Sequence, residues 1–230
     1  MPRPLRFVIP GLPHHVTQRG NYRQSTFPEE QDYLGYLRLL REHAVHFGVS
    51  VQAYCLMPNH THLILVPAKE DALPRMMQRL HADYARYVHL KSGRVGHLWQ
   101  ARYFSAPMDD HHFWQAMVYV ERNPQHANLV KDCSDWRWSS ATAHLRDADD
   151  GLLDLGLWRQ QFTGESWKNY LQLGVHDAAL LERIQESTRK GWPLGSEDFL
   201  DRLQDDLGRS VRPRTAGRKS LSATAGEMRV

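Results

Sequence analysis

Along the first 130 positions, apolar residues recur with two different periods, and the switches between them predict the elements. His14 to Arg19 (HHVTQR) reads as a strand, and Gly20-Asn21 after it is a turn signal. Tyr33, Tyr36, Leu37, Leu40, Ala44 and Phe47 recur at helical spacing up to Gly48, a stop signal, and Thr26 and Glu29 stand at capping-box spacing before them. Val49 to Met57 and His62 to Val66 are strand-like runs; the turn chemistry of Pro58-Asn59 between them predicts an antiparallel hairpin. From Leu73 to about Leu90 helical spacing returns, with Met76, Met77, Leu80, Tyr84 and Val88 on one side. Arg75, Arg79 and Arg86 form a basic stripe on another side, whose simplest reading is a solvated face. Gly93 to Gln100 reads as an irregular loop and Tyr103 to Met108 as a short strand. Asp109 is the N-cap candidate of a third helix with Phe113, Ala116, Met117 and Val120 as its buried stripe. Pro124 is expected to end that helix by disfavouring helical backbone at Asn123.

This alternation predicts an α+β fold: a mostly antiparallel sheet covered by helices. The acidic run Asp147 to Gly151 is read as a boundary. Beyond it, 177–190 and 196–207 are expected as short helices, and the Arg-, Ser- and Gly-rich end as a disordered tail. The chain thus divides into a main domain over 1–145, a helical extension over 146–206 and a basic tail over 207–230.

Composition adds location and partner. A 41% hydrophobic share with 24% charged residues is ordinary for a globular protein and suggests neither a membrane protein nor wholesale disorder. Pro4, Pro10 and Gly11 interrupt the N-terminal apolar run, so no export signal is expected, and two unpaired cysteines, Cys55 and Cys133, suit a reducing cytoplasm. Charge is uneven: residues 1–130 carry net +4, 131–206 net −6 and 207–230 net +5. The basic zones point to a polyanionic partner. Twelve of the 14 histidines lie in the first 130 residues, so metal ligation and proton transfer belong there.

His60-Thr61-His62 opens a strand, and side-chain alternation puts both imidazoles on one face, as a shared metal ion requires. A His-x-His pair is more commonly a hydrogen-bonded or half-exposed pair, so a second constellation is needed. The third helix supplies one. Tyr119 and Asn123, four residues apart, are neighbours on one helical face, with His112 on the same side. The ordinary reading of Tyr119 is a tyrosine at the edge of a core. With a metal beside it, the same phenol is a nucleophile for a phosphodiester. Because the phenol pKa is about 10, phenolate leaves more readily than an alkoxide, so a phosphotyrosine bond can be attacked again by a DNA hydroxyl.

Met57-Pro58-Asn59-His60-Thr61-His62-Leu63 resembles the His-hydrophobe-His motif of the HUH single-tyrosine transposases. Tyr119-Val120-Glu121-Arg122-Asn123-Pro124, with Ala127, Val130 and Trp138-Ser139-Ser140 after it, resembles the tyrosine-helix signature of their REP-associated branch. His15-Val16-Thr17-Gln18-Arg19-Gly20-Asn21 and Gly96-His97-Leu98-Trp99-Gln100 resemble that branch's first strand and pre-strand loop. The likeness spans about residues 10 to 145. It implies a ferredoxin-like or RRM-like antiparallel sheet flanked by helices, with residues 1–145 as the catalytic domain. It implies a substrate of single-stranded DNA bearing a palindromic hairpin, cut through a 5′-phosphotyrosine on Tyr119. It further implies Mg²⁺ or Mn²⁺ on His60 and His62, completed by Asn123. Thr61 departs from the hydrophobe of the motif, but its side chain points to the opposite face of the sheet.

Arg19, Asn21 and Arg23 are the first candidates for DNA contact and Arg94, His97 and Arg102 the second; Tyr22 and Trp99 either stack on bases or are buried aromatics. The protein is expected to act as a monomer or homodimer. Two other readings stand beside the transposase. A metal-activated-water hydrolase of HxHxDH type lacks its further ligands, because Ile64 and Leu65 occupy those positions. A non-catalytic, hairpin-binding regulator derived from a transposase is opposed by the intact His60, His62 and Tyr119.

Overall fold

The computed structural model describes residues 6–93, 95–173 and 178–213. Strands β1 (His14–Arg19), β2 (Val49–Met57), β3 (His60–Pro67) and β4 (Phe104–Pro107) form one sheet in the order β2-β3-β1-β4, antiparallel throughout. Helix α1 (Glu30–Phe47) links β1 to β2, and α2 (Ala72–Ser92) links β3 to β4, which is the path of a ferredoxin-like sheet. Strand side chains alternate, so each strand serves two cores. Val16, Leu63 and Leu65 pack under α1 and α2, whereas Cys55 and Ile64 pack under α3 (Asp110–His126) on the other face.

The α1 cap sits one turn later than the spacing of Thr26 and Glu29 predicts. Glu29 is the N-cap, and its backbone N–H donates to the Asp32 carboxylate at 2.9 Å. Thr26 is instead buried, with its backbone N–H bound to the Pro58 carbonyl. Gly48 ends α1 in the left-handed region, φ 66°, as expected. Asp109 caps α3 by accepting the His112 backbone N–H at 2.9 Å. Pro124 does not stop α3, which runs on to His126. So near the helix end, the ring removes one backbone hydrogen bond and leaves the turns before it intact. The basic stripe of α2 is a solvated face: Arg75 pairs with Asp71, and Arg79 and Arg86 both pair with Asp83.

The C-terminal region contains α4 (Ala141–Arg146), α5 (Gly156–Gln161), α6 (Gly164–Leu173), α7 (Ala178–Lys190) and α8 (Glu197–Leu207). Periodicity located α7 and α8 but not the shorter α4 to α6. Trp158, Trp167, Leu171 and Ile184 share a core with Phe113, Met117 and Val120 of α3, so the extension is packed against the sheet. The acidic run expected as a boundary is fastened to β2. Tyr54 Oη donates to the Asp150 carboxylate at 2.9 Å, and the Asp154 N–H donates to the Val51 carbonyl at 2.8 Å.

Two residues of the segment expected as the tail have contacts with the rest of the chain. Val211 is buried with Phe7 and Leu203, and Arg212 pairs with Glu197 and Asp201. Arg214, Arg218 and Lys219 lie outside the described residues. Cys55 and Cys133 are free and buried. Among the described residues no helix is long and apolar enough to cross a membrane.

One buried polar cluster ties the extension to α3. Glu121 accepts from Ser140 Oγ at 2.6 Å and from Trp167 Nε1 at 2.9 Å, and His144 Nδ1 lies 2.5 Å from the same carboxyl group. All four residues are fully or almost fully buried. Removing the shared acceptor leaves Trp167 Nε1 and His144 Nδ1 without their partner, while Ser140 Oγ keeps only the Tyr54 carbonyl at 3.3 Å, so Glu121→Ala is expected to lower stability by about 3 kcal/mol. Urea unfolding of the two proteins measures it; a loss below about 1 kcal/mol would mean that the cluster contributes little.

Candidate active site

The register of β1 against β3 builds the site. Thr17 stands opposite His62, Arg19 opposite His60, and His15 opposite Ile64. Because residues two apart share a face, His15, Thr17 and Arg19 join His60 and His62 on the α3 side of the sheet. Helix α3 crosses that face and presents Tyr119 and Asn123, and α7 closes the far wall with Gln185 and Thr188. The result is a cleft of about 490 Å³.

Inside it the rings touch. His60 and His62 have centroids 5.0 Å apart and nearly perpendicular planes. The Tyr119 ring stands edge-on to His62 at 5.5 Å and to His15 at 5.7 Å. His62 Nδ1 lies 3.0 Å from His15 Nε2, and His15 Nδ1 lies 2.7 Å from Thr188 Oγ1. His60 Nδ1 lies 2.7 Å from Asn59 Oδ1, while the Asn59 amide donates to the Arg23 carbonyl at 3.1 Å. Each motif histidine therefore has its Nδ1 engaged behind it, which leaves Nε2 for a ligand.

Electrostatics favour neutral imidazoles. Burial pushes His15 down to about 3; burial, reinforced by the Arg19 charge, pushes His60 down to about 4. His62 is held well below the ordinary histidine value by burial and by its neighbours His60, His15 and Arg19. Neutral imidazole is the form that ligates metal. Burial raises the Tyr119 phenol above its usual value, opposed by side-chain hydrogen bonds with Asn123 and Gln185 and by the Arg19 charge.

Among the described residues no three His, Cys, Asp or Glu side chains are grouped to hold a metal. His15 does not count as a third ligand because its Nε2 faces His62 Nδ1. A cation here would take two imidazoles and an oxygen from another residue type. Asn123 lines the same cleft, and its Nδ2 donates to the Tyr119 carbonyl at 3.1 Å, while Oδ1 is an acceptor. Two imidazoles and an amide oxygen fit a divalent ion of the Mn²⁺ kind, and Mg²⁺ once water or phosphate oxygens complete its coordination.

The other expected site residues are dispersed. Arg19 is in the cleft. Asn21, His97 and Arg102 line a separate cleft of about 930 Å³ beside α2. Arg23 is exposed, and Arg94 lies outside the described residues. His112 is not in the cleft; its Nδ1 lies 2.6 Å from Asp109 Oδ1 at the start of α3. Tyr22 is 93% exposed, whereas Trp99 packs on Tyr36, Tyr84 and His81 and donates to the His81 carbonyl at 3.0 Å, which makes it a core aromatic. Thr61 is buried on the α1–α2 face, away from the histidines, with its hydroxyl toward the Tyr36 phenol. His15, Gln185 and Thr188 were not expected in the site.

The family model described as IS200-like transposase matches residues 9–123, half of the chain. The chain belongs to the IS200-like transposase family. Among solved structures, a REP-associated tyrosine transposase bound to a REP hairpin superposes with a TM-score of 0.56 at 19% identity, over 67% of this IS200-like transposase and 92% of that chain. At this identity the likeness establishes a shared fold. A candidate transposase from Deinococcus radiodurans aligns at 23% identity and a TM-score of 0.38, over 53% of this chain and 97% of its own. No curated protein matches the chain. The matched segment of the IS200-like transposase runs from just before β1 to Asn123, and so includes His60, His62, Tyr119 and Asn123.

Depressed histidine pKa values make stability depend on pH. The unfolded chain protonates its histidines near 6.5, whereas His14 and His60 in the folded protein wait until about 4 and His15 until about 3. Below about 6.5 the unfolded state therefore binds more protons, so stability is full above that pH and is lost progressively down to about 3. Urea midpoints at about pH 7 and about pH 5 should show the lower value at pH 5; equal or reversed midpoints would contradict the burial of neutral histidines.

Proposed function

We propose that the chain is a metal-dependent single-strand DNA endonuclease and strand-transferase that cuts beside palindromic hairpins through a covalent 5′-phosphotyrosine on Tyr119. The observation that carries this reading is the convergence of the Tyr119 phenol with His62, His60 and Asn123 in one cleft. The hairpin substrate is inferred from the REP hairpin held by the structural neighbour. Residues 1–145 act as the catalytic domain in this reading, with α7 from the extension forming one wall of the site. The protein works in the cytoplasm, as a monomer or homodimer.

Tyr119 Oη attacks the phosphorus, the bond from phosphorus to the 3′ oxygen breaks, and the departing 3′ hydroxyl takes up a proton as the phenol gives one up to solvent. The Asn123 and Gln185 amides orient the phenol, and Arg19 lies where it can bind a phosphate oxygen. His60, His62 and Asn123 would hold Mg²⁺ or Mn²⁺, which polarises the scissile phosphate and stabilises developing charge. Attack by a second 3′ hydroxyl on the phosphotyrosine reverses the step and completes strand transfer. Because a phenolate is released, no external energy source is needed. Asn21, His97 and Arg102 are proposed to guide DNA along the cleft beside α2, and Arg23 and Arg94 are proposed as further DNA contacts.

Incubation with labelled hairpin DNA and Mn²⁺ tests the reading on a denaturing gel. Wild type should give a shifted covalent adduct. Tyr119→Phe should give none, and His60→Ala or His62→Ala should lose cleavage while retaining hairpin affinity, because phosphate and base contacts carry binding. An adduct with Tyr119→Phe would overturn the nucleophile, and cleavage by both histidine variants in chelator would overturn the metal.

A further inference from the structure

A neutral imidazole has one N–H, so the partner behind a ligating histidine decides which nitrogen keeps the lone pair. Behind His62 stands a chain of three hydrogen bonds, and its far end has only one polarity. Thr188 Oγ1 lies 2.8 Å from the Ile184 carbonyl, one turn back on α7. A carbonyl only accepts, so the Thr188 proton points there, and Thr188 Oγ1 is left to accept from His15 Nδ1–H at 2.7 Å. His15 Nε2 then bears a lone pair and accepts from His62 Nδ1–H at 3.0 Å. His62 Nε2 is consequently unprotonated. Reversing the chain would put a proton on His62 Nε2 and forbid ligation.

The chain is placed to act this way. His15 and Thr188 are each about 2% exposed, so water does not compete for their hydrogen bonds. The His15 and His62 rings are stacked, with planes 11° apart, which holds the two nitrogens in line.

We propose that Thr188 and His15 are positioning residues that set the tautomer of His62, so that α7 of the C-terminal extension prepares the metal site of the sheet. This rests on the reading of His62 as a metal ligand. The relay accounts for a buried histidine and a buried threonine that the cutting step does not otherwise use.

Long-range ¹⁵N–¹H spectra of the metal-free protein read the tautomers directly, and Mn²⁺ titration reads the consequence. His15 and His62 are both expected to be protonated at Nδ1 in wild type and in Thr188→Ser, which keeps the hydroxyl. Thr188→Val cannot accept from His15, so His62 should gain the Nε2–H form and Mn²⁺ affinity should fall about ten- to hundredfold, as when outer-sphere partners are lost. His15→Gln, whose amide can accept from His62 and donate to Thr188, should keep affinity closer to wild type than His15→Leu. Should Thr188→Val not fold, the wild-type spectrum and the His15 pair decide. An Nε2–H tautomer of His62 in wild type, or unchanged tautomer and affinity in Thr188→Val, would overturn the relay. Unchanged Mn²⁺ affinity in His62→Ala would instead overturn the metal reading, and the tautomer spectra would still judge the relay.

Discussion

The pairing of β1 with β3 is the constraint on which the site depends. With Thr17 opposite His62 and Arg19 opposite His60, five polar side chains from two strands fall on one face, and a slip of one residue would turn one strand's set over to the α1–α2 core. That slip is opposed from both sides of the sheet. Val16, Leu63 and Leu65 are fully buried under α1 and α2, and Ile64 is fully buried under α3. The apolar positions thus hold the register that the histidines need, and the cost of gathering imidazoles in a dry place is met by the two surrounding cores.

Burial then does chemical work. The same desolvation that depresses His15, His60 and His62 keeps them neutral, and the Nδ1 partners of His60 and His62 leave Nε2 of those two rings for the cleft. On the Tyr119 phenol desolvation acts in the opposite sense, raising the cost of the phenolate. A site with neutral nitrogen ligands beside a reluctant phenol is one in which a cation changes the balance most, since it favours both ligation and the developing charge.

Much of this was legible in the sequence. Alternation fixed β1 and the hairpin, periodicity fixed α1 to α3, and the spacing of His60 with His62 and of Tyr119 with Asn123 put each pair on one face of one element, which is how they come to line the candidate cleft. His15 was visible only as a strand residue: nothing local distinguishes it from His14, which turns the other way and bonds to the Leu12 carbonyl and the Ile9 N–H. Gln185 and Thr188 were out of reach for a different reason. They meet Tyr119 and His15 across a long stretch of sequence, and only the packing of α7 against the sheet brings them there. The late start of α1 and the passage of α3 through Pro124 were missed because several caps compete locally and one absent hydrogen bond near a helix end is tolerated.

The extension belongs to the same physical object as the sheet: Trp158, Trp167 and Ile184 complete the core under α3, and Glu121 joins α3 to α4 and α6. All of this serves one claim, that Tyr119 is held where it can form a bond to DNA phosphorus. The most direct measurement is mass spectrometry of the trapped protein–DNA adduct after nuclease and trypsin digestion. The peptide spanning 103–122 contains two tyrosines, Tyr103 and Tyr119. The account requires the nucleotide phosphate on Tyr119; its appearance on Tyr103 or on any other peptide would contradict it.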